Sequence, residues 1–232
     1  FFKAGGGMID SSPMYGSSEA VIGHGLRKLQ PNSGLFSATK VWTSSKDEGV
    51  EQFNESRQLW GTKGFDLYQI HNLVAWRAHL ETLLEMKAAG KIRYIGITTS
   101  HGRRHEDLEK IITTQPLDFV QLSYNAGNTD AERRLLPAAA DNGLAVIVNR
   151  PFQRGTLINH VSVHPLPEWA AEIGCTGWPQ ILLKFVVSHP AVNCAIPATS
   201  QVAHMVENMT AGKGALPDAA FRKRITAHIA AL

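Results

Sequence analysis

Apolar positions along the chain follow two alternating patterns. Short β-rich runs cover residues 7–11, 35–41, 67–71, 94–98, 119–123, 145–149 and 193–197. They recur at intervals of roughly 25–30 residues, the spacing of strands separated by helices. Between them the apolar period lengthens to that of a helix. Residues 17–29 open on Ser17 with a Glu shortly after and put Val21, Ile22 and Leu26 on one face, which predicts a capped amphipathic helix. Further helices are predicted over 79–89, stopped by Gly90, over 106–112, over 132–141, ending near Gly143, and over 180–187, ahead of Pro190. Residues 217–231 read as a terminal helix that closes one end of the molecule.

Strands alternating with helices predict an α/β fold with a parallel sheet. No Pro/Gly/Ser-rich linker and no repeated sequence divides the chain, so residues 1–232 are expected to form one domain. Seven βα units fit either a doubly wound sheet or a (β/α)8 TIM barrel. The opening Phe1-Phe2-Lys3-Ala4 lacks a methionine and runs into a strand within a few residues. The expectation is therefore an N-terminally truncated barrel, with seven of its eight units visible. Gly5-Gly6-Gly7 precedes its strand instead of following it, so it reads as a helix stop and not as a phosphate-cradling loop.

Composition narrows the partners. With 232 residues, 44% of them hydrophobic and 19% charged, the chain can bury a substantial core. Its net charge is only +3, and the clusters Arg103-Arg104 and Arg222-Lys223-Arg224 are not interleaved with aromatics, which argues against nucleic acid. Lys184 and Ser188 interrupt the apolar runs 181–183 and 185–187, far short of the about 20 residues of a membrane span. Cys175 and Cys194 form no CxxC pair, so a reducing, cytoplasmic setting is expected. His101 and His105, four apart in a basic loop, have no nearby Cys or HExxH, and a solvated loop is the better reading than a metal site.

In a parallel barrel, reactive side chains gather where strands end. Asp10 ends the first strand, Tyr15 follows in Asp-Ser-Ser-Pro-Met-Tyr-Gly, Lys40 ends the second strand and His71 the third. Singly each has a bland role: a turn cap, a packing aromatic, a solvated lysine, a satisfied histidine. Together they differ, because a Lys and an Asp running into adjacent apolar segments are costly to bury unless paired. Carbonyl reduction needs a proton at the oxygen as hydride reaches the carbon, and a free tyrosine, with a pKa near 10, is a sluggish acid around neutrality. A neighbouring ammonium favours the phenolate, and Lys40 is the candidate. Asp10 would hold Lys40, while His71 would hydrogen-bond the carbonyl oxygen.

These residues resemble the aldo-keto reductase family. The run from Ile9 through Asp10 and Tyr15 to Glu19 looks like its Asp-to-Tyr segment, Ala38-Thr39-Lys40 like its lysine strand, and Tyr68-Gln69-Ile70-His71 like its histidine strand. Gly96-Ile97-Thr98-Thr99, Val120-Gln121-Leu122 and Ile196-Pro197-Ala198-Thr199 through Glu207-Asn208 continue the likeness over nearly the whole chain. The resemblance implies an NADP(H)-dependent reductase of small aldehydes or ketones, with NAD(H) as a second coenzyme. Its nicotinamide would lie beside Tyr15, contacted by Thr98 or Thr99 and by Gln121, above the loop Asn149-Arg150-Pro151-Phe152. The adenosine end would lie near Thr199, Ser200, His204, Glu207 and Asn208. Where many members place an aromatic, this chain has Asn149, and Ala198 and His204 stand where many have Lys and Arg. Thr199, Ser200 and a protonated His204 would then hold a 2′-phosphate. Candidates for the substrate pocket are Trp42, Asn72 and Trp76, with Phe152 beside them. Two alternatives remain: a coenzyme-binding regulatory module, and a Schiff-base lyase using Lys40, which Asp10 beside it disfavours.

Overall fold

The structure is a computed structural model that describes residues 1–29, 34–100 and 102–232. Among these, seven parallel strands form one curled sheet in sequence order: β1 (Met8–Asp10), β2 (Phe36–Val41), β3 (Phe65–Ile70), β4 (Ile92–Thr98), β5 (Phe119–Ser123), β6 (Ala145–Asn149) and β7 (Cys194–Ala195). Helices alternate with them: α1 (Ser18–Lys28), α2 (Lys46–Trp60), α3 (Trp76–Ala88), α4 (His105–Thr114), α5 (Leu135–Asp141), α6 (Thr156–Val161), α7 (Trp178–Val187), α8 (Val202–Thr210) and α9 (Ala219–Ala230). This is the (β/α)8 architecture, and each of the seven expected strands is present. The helix expected over 217–231 is α9, capped by Asp218, whose carboxylate accepts from the Phe221 amide at 2.8 Å.

Period-2 alternation divides the sheet into two faces. The outer face joins the helices in the main core, where Tyr68, Ile70, Val120 and Val146 pack against Phe53, Leu83 and Ile181. The inner face carries a small apolar floor of Ala38, Leu67 and Ile147, with Met8, Phe36, Tyr94 and Phe119 packed on it. Two residues further along the same strands the inward positions turn polar: Asp10, Lys40, Gln69 and Gln121. The floor closes one end of the interior, and the polar layer forms the base of the mouth at the strands' C-terminal ends.

Local details depart from the expected pattern. Ser17 sits at the N-cap of α1 without a side-chain cap bond, and Val21 is exposed. Glu19 turns inward instead, accepting from Thr39 Oγ1 at 2.7 Å, Ser56 Oγ at 2.9 Å and Trp60 Nε1 at 3.0 Å. Three donors are a better offer to a buried carboxylate than one amide at a helix start. The helix expected over 132–141 begins only at Leu135, after a 3-10 turn (Asp130–Arg133), because Pro137 fits only in a helix's first turn. Helices α2, α6 and α8 were not expected as separate elements. The buried stripe of α2 is Gly49, Phe53, Ser56 and Trp60, half of it too small to register as apolar, and α8 buries none of its residues. No helix among the described residues is long and apolar enough to cross a membrane.

Candidate active site

Six of the seven strands carry a polar side chain near their C-terminal ends: Asp10, Lys40, Gln69, Thr98, Gln121 and Asn149. Tyr15 closes a 3-10 turn (Pro13–Tyr15) that begins where Ser12 Oγ accepts from the Met14 amide at 3.3 Å, with Pro13 fixing the first turn position. Gly16 at φ 60° then reverses the chain into α1. The turn projects Tyr15 over the ends of β1 to β3 and leaves its side chain 45% exposed.

Lys40 is completely buried. Its ammonium donates to Asp10 Oδ2 and, at 2.8 Å, to the Ser11 carbonyl. Both partners are acceptors, so they hold Nζ as a hydrogen-bond donor. The same ammonium lies 5.2 Å from the centre of the Tyr15 ring. The His71 ring meets Tyr15 edge-on with centroids 5.8 Å apart, and its Nδ1 lies 3.0 Å from Ser12 Oγ. Burial, and next the Lys40 charge, push the His71 imidazole down to about 4, so it is neutral near pH 7. The structure thus brings Asp10, Tyr15, Lys40 and His71 into one cluster.

A cavity of about 740 Å³ opens above that cluster and includes Asp10, Tyr15 and His71 in its lining. Asn72, Thr98, Thr99, Gln121, Asn149, Arg150, Thr199 and Asn208 line it too. A second cavity of about 680 Å³ shares Arg150, Arg154, the 196–199 segment and Asn208 with the first, and adds Pro151, Phe152, His204 and Glu207. The two form one elongated groove. Ser200 lines neither, and Trp42 and Trp76 lie outside both linings. Gln52 pairs with the Trp42 backbone N–H and C=O at 2.9 and 3.0 Å and the Trp42 side chain is exposed, while Trp76 stacks under Arg77. His101 lies outside the described residues, and among those described no group of three His, Cys, Asp or Glu could hold a metal.

Three contributors to the site carry no role in the sequence reading. Gln69 Nε2 donates to Asp10 Oδ1 at 2.8 Å, beside Gln121 Nε2 at 3.2 Å. Its signal was an amide at an inward strand position, in register with Lys40. Ser12 touches His71, a link that spans two strands and leaves no periodic trace. Arg154 lines both cavities from a loop in which Arg150, Gln153 and Arg154 all take positive φ. Burial and the neighbouring Arg154 lower the Arg150 guanidinium from its ordinary value, with Tyr15 acting in the opposite direction. Gln121 and Asn149 are linked as well: Asn149 Nδ2 donates to the Thr99 carbonyl at 2.9 Å and reaches Gln121 Oε1 at 3.5 Å.

Known proteins share this arrangement of strands and helices. The chain is 26% identical over 197 residues to the NADH-specific methylglyoxal reductase of Escherichia coli (strain K12), covering 71% of this chain and 58% of that protein. It is 28% identical over 218 residues to the 9,11-endoperoxide prostaglandin H2 reductase of Trypanosoma cruzi (strain CL Brener), covering 89% of this chain and 72% of that protein. Among solved structures, an aldo/keto reductase from Klebsiella pneumoniae in complex with NADP and acetate superposes with a TM-score of 0.81 at 25% identity, over 98% of this chain and 81% of that one. The aldo-keto reductase AKR11C1 from Bacillus halodurans, at 22% identity and a TM-score of 0.79 over 97% of this chain and 83% of that one, shares the fold. The sequence matches the aldo/keto reductase family over residues 1–230, and the chain belongs to that family.

Proposed function

We propose that the chain is an NAD(P)H-dependent oxidoreductase that reduces aldehydes or ketones to alcohols, with Tyr15 as the proton donor. The observation that carries this reading is the cluster itself: an exposed phenol at a cavity, a buried ammonium 5.2 Å from its ring and a neutral imidazole at its edge.

The groove fits a nicotinamide dinucleotide in volume and in chemistry. Its two halves each lie within the roughly 300–1,000 Å³ range of ligand pockets. The half above Tyr15 offers the amides of Gln121 and Asn149 to a carboxamide, and the junction offers Arg150 and Arg154 to phosphates. His204 and Thr199 line the far half, where they would receive the adenosine end. The Klebsiella structure holds NADP and the Escherichia relative is named NADH-specific, which supports NADP(H) with NAD(H) as second coenzyme. When bound, the nicotinamide supplies the hydride that reaches the carbonyl carbon.

The chain's own residues handle the proton. Tyr15 Oη gives its proton to the carbonyl oxygen, and the negative charge left on the phenolate falls beside the Lys40 ammonium. Asp10 and the Ser11 carbonyl hold that ammonium still, so little reorganisation accompanies the transfer. His71, being neutral, donates a hydrogen bond to the same oxygen without competing as an acid. Exposure of Tyr15 lets it recover a proton from solvent. Asn72 lines the cavity beside His71 and would meet the substrate there.

Residues 1–232 are taken as one domain, a reading supported by one sheet and a main core that reaches from α1 to α9. A cytoplasmic setting belongs to the same reading, since Cys175 and Cys194 are both free thiols. The test is Tyr15→Phe. Coenzyme binding should persist while carbonyl reduction falls by roughly 100-fold or more, the range a general acid contributes. Unchanged turnover would remove Tyr15 as the acid. Failure of the full-length protein to oxidise NADPH against a broad panel of aldehydes and quinones would leave a coenzyme-binding module in place of an enzyme.

A further inference from the structure

Ser12 is completely buried, yet its hydroxyl has two neighbours on different elements. The Met14 amide donates to Oγ at 3.3 Å, and His71 Nδ1 lies 3.0 Å away on the other side. A serine hydroxyl carries one proton and two lone pairs. The Met14 amide takes a lone pair and offers no acceptor. Among the described residues, His71 Nδ1 is therefore the one acceptor within reach of the Ser12 proton. If Nδ1 carried its own hydrogen and donated to Ser12, the hydroxyl proton would be stranded in a dry site, an arrangement that folded proteins avoid.

We propose that Ser12 is a positioning residue that fixes the tautomer of His71: the Ser12 hydroxyl donates to Nδ1, so the ring hydrogen resides on Nε2. Nε2 has no protein partner among the described residues, and His71 lines the cavity beside Tyr15. The imidazole then presents a donor, not a lone pair, to whatever oxygen enters. A carbonyl oxygen rich in electrons is stabilised by that donor and repelled by the alternative tautomer. The edge-on contact with Tyr15 is a second restraint on the ring, but both tautomers satisfy it equally. Among the described residues, the selection comes from Ser12. The burial and the nearby Lys40 charge that keep His71 neutral make the choice of tautomer matter, because a doubly protonated ring would have none to make.

The tautomer stands independently of the proposed reaction, while its catalytic use rests on carbonyl reduction. The experiment is a long-range ¹H–¹⁵N correlation spectrum of the full chain labelled with ¹⁵N-histidine. His71→Gln assigns the His71 signals among the 10 histidines. The expected result is an unprotonated Nδ1 and a protonated Nε2 in the unaltered chain, and a shift toward a mixed tautomer in Ser12→Ala. The His71 titration midpoint should also rise in Ser12→Ala, because the neutral ring loses its hydrogen bond. Ser12→Thr keeps the hydroxyl and should restore the original pattern, and Ser12→Ala, being smaller than serine, decides the matter without it. A protonated Nδ1 in the unaltered chain would overturn the proposal, as would nitrogen shifts that Ser12→Ala leaves unmoved. With an aldehyde substrate, kcat/KM should fall several-fold in Ser12→Ala at constant coenzyme affinity. If the tautomer shifts as expected but the unaltered chain reduces no carbonyl, the reaction fails and the tautomer assignment holds.

Discussion

Gln69 Nε2 donates to Oδ1 of Asp10 at 2.8 Å, while Lys40 occupies Oδ2 of the same carboxylate. The carboxylate is thereby fixed from both sides, and with it the direction in which the ammonium faces Tyr15. Room for the amide comes from Gly96 on the adjacent strand, where a Cβ would stand 2.8 Å from Gln69 Cγ. Gln69→Leu keeps the approximate volume and removes the donor. Stability should fall by about 1.5–3 kcal/mol, the range for a hydrogen bond to a charged group. Turnover should fall by roughly 10-fold with coenzyme affinity unchanged, since a small displacement of a pre-set charge is felt mainly in the transition state. Gly96→Ala should reproduce the effect by pushing the same side chain aside. Turnover equal to that of the unaltered chain in Gln69→Leu would mean that Gln121, at 3.2 Å from Oδ1, suffices to hold Asp10.

The strand ends were legible because each combines an apolar run with one polar residue at its C-terminal end. Asp10, Lys40 and His71 stand out for that reason, and Tyr15 follows from its turn. Links between strands were not legible. Gln69 meets Asp10 across 59 positions and Ser12 meets His71 across the same separation, distances over which periodicity says nothing. Glu19 shows the opposite failure: a local capping signal was present, but three donors from β2 and α2 outweigh it. Trp42 and Trp76 were expected at the pocket from their closeness to Lys40 and His71 in sequence. Neither lines the two cavities: Trp42 is exposed and Trp76 stacks with Arg77.

His71 imposes a sign on the acid stability of the protein. Its imidazole lies at about 4 in the folded chain against 6.5 in the unfolded one, so between those values the unfolded state binds the extra proton. Stability therefore rises with pH across this window and is lost as pH falls from 6.5 toward 4. Unfolding free energies from urea titrations between pH 7 and pH 4 should drop more steeply for the unaltered chain than for His71→Gln, by on the order of 2 kcal/mol. His189 is lowered as well, by burial and then by Arg222, but it titrates in both proteins and cancels in the comparison. Parallel curves for the two proteins down to pH 4 would show that the folded chain protonates His71 as readily as the unfolded chain does.

Tyr68, three residues before His71, makes the opposite use of a phenol. Its side chain is 1% exposed, with the Phe53 ring edge-on at 5.1 Å and the Phe65 ring stacked at 6.2 Å. Its hydroxyl is buried with no hydrogen-bond partner among the described residues. Burial, followed by the Glu19 carboxylate, raises this phenol above its ordinary value, so it stays neutral and contributes no acid chemistry. An unsatisfied buried hydroxyl costs about 1–3 kcal/mol of desolvation that nothing returns. Tyr68→Phe removes that cost and keeps both ring contacts. Thermal unfolding should therefore show equal or higher stability, by up to about 1–2 kcal/mol, the loss in solvation being avoided while the packing survives. Activity should be unchanged, because the ring faces the helices and not the mouth. A loss of more than about 1 kcal/mol would instead mean that the hydroxyl is satisfied in solution, by a bound water that also bridges to Glu19.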